Sequence, residues 1–250
     1  MIEAYLTIAL SFVMGLSIFL SMPIVFHRHT STRHMIFFNA VAIGILIFLL
    51  MDIFGNVAAI FGNAIGFNAM ELVFIIGFTL SFLFFIAPKE NRELNKDPKR
   101  TSILAAIGIG FQNLTEGLVF GSAGAAGIIP IYLVSLIGFT LQNITEGFPI
   151  AAPLMGLKQK LDKRFVTGAF LLGGVPTILG TLVGLVFFSN IFIIFFDALA
   201  SAAILYVVLV LLHVNLRRSD AEGAGKSRAI WLTYAGILLG FVVAFVVNYL

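Results

Sequence analysis

The sequence predicts an all-α integral membrane protein with eight transmembrane helices. Of its 250 residues, 60% are hydrophobic and 11% are charged, and the mean hydropathy is +1.08. Soluble domains carry about 25% charged residues, so most of this chain is expected to lie in lipid. Eight apolar runs reach the roughly 20 residues that a helix needs to cross a bilayer. The short alternating segments of a transmembrane barrel are not seen in the sequence.

The predicted spans cover nearly the whole chain and form a single transmembrane domain, residues 1–250. They lie at about 3–26, 35–61, 67–87, 101–121, 131–156, 164–188, 191–213 and 229–249. The first run is expected to stay as a span, because the N-terminus lacks the basic region of a secretory signal peptide. The polar linkers 88–100 and 215–228 are too short to fold alone.

Basic residues predict the orientation of the spans. All 15 Lys and Arg residues fall in the connections between spans one and two, three and four, five and six, and seven and eight. The other three connections contain no charged residue. Cytoplasmic loops are enriched in Lys and Arg, so both termini are predicted to lie outside a cell membrane (inner or plasma) that the chain crosses repeatedly. The pI near 9.3 therefore reflects topology and does not indicate nucleic-acid binding.

A polar motif of six residues occurs on both the fourth and the fifth span. The two copies, QNLTEG at 112–117 and QNITEG at 142–147, are called the polar cassettes here. Residues four apart share one face of a helix, so the Gln and Glu of each cassette should stack, with the Asn on the adjacent flank. The connection between these spans is short and rich in glycine. The two spans are therefore expected to be antiparallel neighbours with facing cassettes.

The cassettes form the candidate metal site. Its predicted ligands are Gln112, Asn113, Glu116, Gln142, Asn143 and Glu146. An ionisable residue within a membrane span is costly and indicates a pathway or a site, and six oxygen ligands, two of them anionic, suit a hard cation. Hydrogen bonds between helices would explain the amides equally well. They explain the carboxylates poorly, because paired carboxylates repel unless a proton or a cation lies between them.

Glycine and proline residues next to the cassettes indicate an irregular backbone there. Gly117 and Gly147 are predicted to let a neighbouring helix approach closely. Pro149 and Pro153 leave the carbonyl groups of Thr145 and Pro149 without their helical donors. Broken helices that expose carbonyl groups to cations are found in transporters.

Other acidic residues occur in the spans. Asp52 lies deep in span two, where a role in the pathway and a structural hydrogen bond are equally favoured. Glu71 and Asp197 lie nearer the outer ends of their spans and are predicted to contact solvent or lipid headgroups.

The eight spans, the outward termini and the cassettes resemble the Zrt/Irt-like (ZIP) family of metal transporters. That family has tandem His-Asn-x-Pro-Glu-Gly cassettes on spans four and five, and this chain keeps the Asn, Glu and Gly of both. The stretches 173–180 and 203–208 resemble the family's motifs on spans six and seven. The resemblance implies a ZIP-like bundle that moves a divalent cation of the zinc, iron or manganese class into the cytoplasm. The cation would be the transported substrate, and no tightly bound cofactor is expected.

The resemblance also implies how the ligands would be shared between two metal positions. The upper ligands would be Gln112, Glu116, Gln142 and Glu146, and the neighbouring position would use Asn113 and Asn143 with both glutamates as bridges. The chain departs from the family at Gln112 and Gln142, which replace histidine, and at Thr177, which stands where the family has a glutamate. Amide and carboxylate oxygens suit harder cations such as manganese, whereas imidazole suits zinc. The expectation is one mainly oxygen-lined site with selectivity shifted toward harder cations, and Thr177 as an additional pathway residue.

Two other functions stay open. The chain could carry another ion or solute with Glu116 and Glu146 as protonation sites, or it could be a ZIP-like membrane protein that does not transport. An enzyme is not expected, because the sequence has no cysteine and no histidine deep within a span. The expected partners are the divalent cation and the lipid bilayer. Family members often form homodimers, so a homodimer also stays open.

Overall fold

The computed structural model describes residues 4–26, 31–62, 69–86, 97–127, 129–155, 157, 162–221 and 225–248, without the side chains of 129–135. All regular structure in these ranges is helical. The helices are α1 (Ala4–Leu16), continued by a 3₁₀ helix (Ser17–Phe26), α2 (Thr32–Phe61), α3 (Ala69–Ile86), α4 (Pro98–Ala126), α5 (Ile129–Ala151), followed by a 3₁₀ turn (Ala152–Leu154), α6 (Lys163–Gly184), α7 (Asn190–Ala221) and α8 (Lys226–Asn248).

Each predicted span falls on one of these helices. Within the described ranges, seven helical segments are long and apolar enough to cross a membrane, and they correspond to every predicted span except the fifth. Helix α5 has 23 residues, which is sufficient length, but its polar cassette lowers its hydropathy. The all-helical membrane architecture is therefore confirmed. The eighth span and the outward termini stay predictions.

Capping residues mark where several helices begin or end. Asp97 accepts a hydrogen bond from the Lys99 backbone N–H at 2.9 Å, and Asp162 accepts one from Arg164 at the same distance. Both are typical N-caps. Gly127 ends α4 in the left-handed conformation, with φ of +70°, which suits glycine. The chain therefore turns back at once into α5, as the sequence predicted.

Helices α4 and α6 are packed backbone to backbone. A Cβ atom added at Gly117 or Gly121 would overlap the main chain of α6, and one added at Gly180 or Gly184 would overlap the main chain of α4. Small residues that allow such close approach are typical of membrane helix interfaces. The predicted role of Gly117 is therefore confirmed, and the first cassette is held directly against α6.

Helix α2 packs against both α7 and α8. Ile43, Leu46 and Leu49 of α2 belong to the same apolar core as Val207 and Leu211 of α7. Helix α8 packs closely on the other side of α2, and α3 packs on α7 without burying any of its own residues. The cassettes thus lie among α1, α4, α5 and α6, whereas α3 and α8 lie at the periphery.

Candidate metal centre

The glutamates of the two cassettes are buried and face each other. Glu116 is 7% exposed and Glu146 is fully buried. The side-chain amide of Gln142 donates to Oε1 of Glu116 at 2.7 Å and to Oε1 of Glu146 at 3.0 Å. Gln112 also donates to Oε1 of Glu116, at 3.1 Å. One amide therefore bridges carboxylates from two helices, and the prediction that the cassettes face each other is confirmed.

The asparagines connect the cassettes to α6. Asn113 Nδ2 donates to Asn143 Oδ1 at 2.7 Å and to the carbonyl oxygen of Gly173 at 2.9 Å. Asn143 in turn donates to the carbonyl oxygen of Phe139 at 2.9 Å. Three helices are therefore joined at the level of the cassettes. All six predicted ligands belong to this one buried polar cluster.

Several buried oxygen atoms in and beside the cluster have no hydrogen-bond partner in the described part of the chain. They are Gln112 Oε1, Asn113 Oδ1, Glu116 Oε2, Glu146 Oε2 and Thr177 Oγ1. Buried polar atoms are normally paired, and leaving one without a partner costs about 1–3 kcal/mol, more for a charged group. Each carboxylate thus receives amide donors on one oxygen and has none on the other. This is a set of oxygen atoms to which a cation could bind.

The charges of the two glutamates have no basic partner among the described residues. Neither Glu116 nor Glu146 forms an ion pair there, and Glu116 also experiences electrostatic repulsion from Asp52 and Asp197. Two bare anions in a medium of low dielectric constant are unstable unless a proton or a cation compensates them. The described residues contain no group of three or more His, Cys, Asp or Glu side chains that could hold a metal. The side-chain ligands available to a metal beside these carboxylates are amide and hydroxyl oxygens.

Asp197 lies in the protein interior, which makes the prediction of a solvated position wrong. It is 3% exposed, and its Oδ1 lies 2.9 Å from the hydroxyl oxygen of Thr115, a residue of the first cassette. Helix α7 begins at Asn190, so seven residues at 1.5 Å each place Asp197 about 10 Å along the helix. The presence of Thr115 in the repeated cassette was the only sequence feature that pointed to a contact at this position. The sequence does not indicate that the partner of Thr115 is Asp197.

The two predicted pathway residues lie in different surroundings. Thr177 is fully buried on α6, and its carbonyl oxygen packs against Gly117. Asp52 is only partly buried and accepts hydrogen bonds from Asn56 at 3.3 Å and Asn248 at 3.2 Å. Thr177 therefore lies beside the first cassette. The hydrogen bonds of Asp52 join α2 to the end of α8.

The second cassette is held against the first span. A Cβ atom at Gly147 would overlap Ser21 and the carbonyl oxygen of Ile18, both in the 3₁₀ helix. The hydroxyl of Ser17 lies 3.0 Å from the carbonyl oxygen of Thr140 on α5. The predicted close approach at Gly147 is thus confirmed. Comparison with known proteins adds no family assignment, because no protein-family model matches the chain and no curated protein is significantly similar to it.

Proposed function

We propose that this protein is a secondary transporter that carries a divalent metal cation across the membrane through the site between α4 and α5. The main support is that two buried carboxylates, from facing helices, each keep an oxygen without a hydrogen-bond partner. A divalent cation would neutralise both charges at once. The resemblance of the cassettes to those of ZIP transporters supports the same function.

The proposed substrate belongs to the harder divalent cations. Carboxylate, amide and hydroxyl oxygens surround the site, and neither cassette contains histidine. Manganese accepts such ligands readily, whereas zinc favours nitrogen and sulfur. We therefore expect Mn²⁺ or Fe²⁺ to compete with Zn²⁺ at least equally. We propose a cell membrane as its location, with the basic loops on the cytoplasmic side, and the resemblance to ZIP transporters supports import as the direction of transport.

A carrier of another ion or solute, using Glu116 and Glu146 as protonation sites, is the second candidate. The hydrogen bonds from Gln142 to both carboxylates favour it, because they hold the cassettes together without a metal. In that case the charge of the glutamates would be compensated by protons alone.

Uptake by the purified protein in lipid vesicles tests the proposal. We expect saturable uptake of Mn²⁺, and we expect either Glu116→Gln or Glu146→Gln to abolish it, because each variant removes one of the two charges. Asp220→Asn is the control, since it makes the corresponding carboxylate-to-amide change at an exposed side chain that pairs with Lys226 at 2.8 Å. Normal uptake by the double Gln variant would exclude the site. Proton movement without metal uptake by the unmodified protein would favour the second candidate.

A further inference from the structure

We infer that Asp197, with Thr115 and Ser201, forms a proton-binding site between α4 and α7 that is separate from the proposed metal ligands. Its role is to exchange a proton against the transported cation. That role rests on the proposed function, whereas the presence of a bound proton rests on the geometry of the three side chains and on the charges around Asp197.

The first argument is a count of hydrogen-bond donors. Thr115 Oγ1 lies 2.7 Å from the carbonyl oxygen of Gln112 and 2.9 Å from Oδ1 of Asp197. A hydroxyl group has one proton, and a carbonyl oxygen can only accept. If that proton goes to the nearer carbonyl oxygen, the contact with Asp197 is a hydrogen bond only when the Asp197 carboxyl group carries a proton itself.

The second cassette provides an internal comparison. Thr145 occupies the position equivalent to Thr115, and its hydroxyl donates to the carbonyl oxygen of Gln142, also at 2.7 Å. In the described part of the chain, no acidic side chain is hydrogen-bonded to the hydroxyl of Thr145. The threonine-to-carbonyl distance is thus the same with and without a neighbouring carboxyl group. Asp197 has not drawn the Thr115 hydroxyl away from the backbone, which is the result expected when Asp197 is neutral.

The charged groups around Asp197 favour a proton as well. Glu116 on α4 and Asp52 on α2 are both acidic and repel its charge. The acidic residue of α3, Glu71, lies six positions before Gly77, which packs on Ala198. The basic residues Lys226 and Arg228 lie in the first turn of α8, where Lys226 pairs with Asp220 at the far end of α7. In the described part of the chain, no basic side chain forms an ion pair with Asp197.

Ser201 provides a hydrogen-bond donor for the ionised form of Asp197. It lies four residues after Asp197, on the same face of α7. Its hydroxyl is fully buried and has no hydrogen-bond partner in the described structure. When Asp197 is ionised, Ser201 can turn to donate to the carboxylate, and Thr115 can do the same. The buried anion is then hydrogen-bonded, which lowers the cost of burying it. The site can therefore exist in both protonation states.

Proton binding at Asp197 and cation binding at the cassettes should oppose each other. Loss of the proton adds a negative charge to the electrostatic field at Glu116 and so favours a cation there. Linkage is reciprocal, so the bound cation must weaken proton binding at Asp197 by the same factor. A cation that enters the cassettes therefore favours release of the proton from Asp197.

Infrared spectroscopy of the protein in lipid vesicles tests the inference. We expect a carbonyl-stretch band of a protonated carboxyl group that is lost in Asp197→Asn and lost on titration with Mn²⁺. Thr115→Val should shift this band because the acid loses its acceptor, whereas the matched change Thr145→Val should leave it in place. Ser201→Ala should keep the band to higher pH, because the carboxylate loses a donor. These variants keep the test valid if Asp197→Asn does not fold.

The possible outcomes distinguish the proton site at Asp197 from the proposed cation transport. A band unchanged in Asp197→Asn and in Thr115→Val would show that Asp197 carries no proton and overturn the inference, even if Mn²⁺ uptake is normal. A band that depends on Asp197 but does not respond to Mn²⁺ in a transporting protein would overturn the coupling. A band that depends on Asp197 in a protein without cation uptake would leave the proton site standing and exclude the proposed transport.

Discussion

Replacing Gly117 by alanine tests whether the close contact between α4 and α6 determines the geometry of the candidate site. A Cβ atom at this position would lie 2.9 Å from the backbone nitrogen of Thr181 and closer still to the carbonyl oxygen of Thr177. Ordinary contact of a Cβ atom begins at 3.4 Å, so the nitrogen alone requires the two helices to separate by about 0.5 Å, and the nearer carbonyl oxygen requires a larger separation. Because the obstructing atoms are backbone atoms, no change of rotamer can relieve the overlap.

Two opposing effects determine the size of the change in stability. Forcing an extra methyl group into a packed interface costs about 1–3 kcal/mol, and alanine in place of glycine within a helix returns up to about 1 kcal/mol. We therefore expect the free energy of unfolding of Gly117→Ala to fall by about 1–2 kcal/mol. Gly168→Ala on α6 is the matched control, because no atom lies within 4 Å of its added Cβ. It should be as stable as the unmodified protein or slightly more stable.

Reversible unfolding in mixed micelles measures both variants under the same conditions. Uptake of Mn²⁺ by the Gly117→Ala protein at a temperature where it stays folded should also be weaker, since Glu116 is displaced with its helix. If Gly117→Ala and Gly168→Ala had equal stability and equal uptake, the contact between α4 and α6 would not control the site.

Three further outcomes are expected. The double variant Gln112→His, Gln142→His should shift the preference in a competition assay from Mn²⁺ toward Zn²⁺, because imidazole nitrogen suits zinc. An unchanged preference would show that the cassette glutamines do not determine cation selectivity. A cysteine at Ser189 should react with an impermeant thiol reagent added outside intact cells, whereas a cysteine at Asp220 should not. The reverse pattern would show that the predicted orientation in the membrane is wrong. Asn113→Ala should lower the free energy of unfolding in mixed micelles by about 1–3 kcal/mol, because it removes hydrogen bonds to two other helices; unchanged stability would mean that these bonds contribute nothing net.

The sequence predicted the helices and the facing cassettes because both leave local signals: long apolar runs, a four-residue spacing and a short connection. Hydropathy located the spans, and the four-residue spacing of Gln112 and Glu116 predicted a shared face on α4. The direction of the amide groups could not be predicted in the same way. The six side chains were counted as oxygen ligands, yet Gln142 and Asn113 use N–H groups to bond their neighbours. A carboxylate without a cation attracts donors, and which end of an amide points inward depends on that local charge.

Burial within the protein was the property that sequence reasoning estimated least well, as the 3% exposure of Asp197 shows. Asp197 was placed near solvent because it follows the start of a span by only a few residues, but the contact with Thr115 depends on how far α7 slides along α4. Such a register between helices is determined by contacts such as Gly108 against Ala203 and Ile204. These contacts join residues that are distant in sequence, and one sequence contains no signal for them.

The 3₁₀ helix that completes the first predicted span makes it longer than an α-helix of the same residues would be. A 3₁₀ helix rises about 2.0 Å per residue and an α-helix 1.5 Å, so the ten residues Ser17–Phe26 extend about 5 Å further than they would in α-helical form. Three residues per turn also align Ile18 and Ser21 with each other, and these are the residues that meet Gly147. Rewinding this segment into an α-helix would shorten the span by nearly one α-helical turn and rotate Ser21 away from the second cassette. The segment therefore ties the axial position of α1 to the packing of α5 at Gly147.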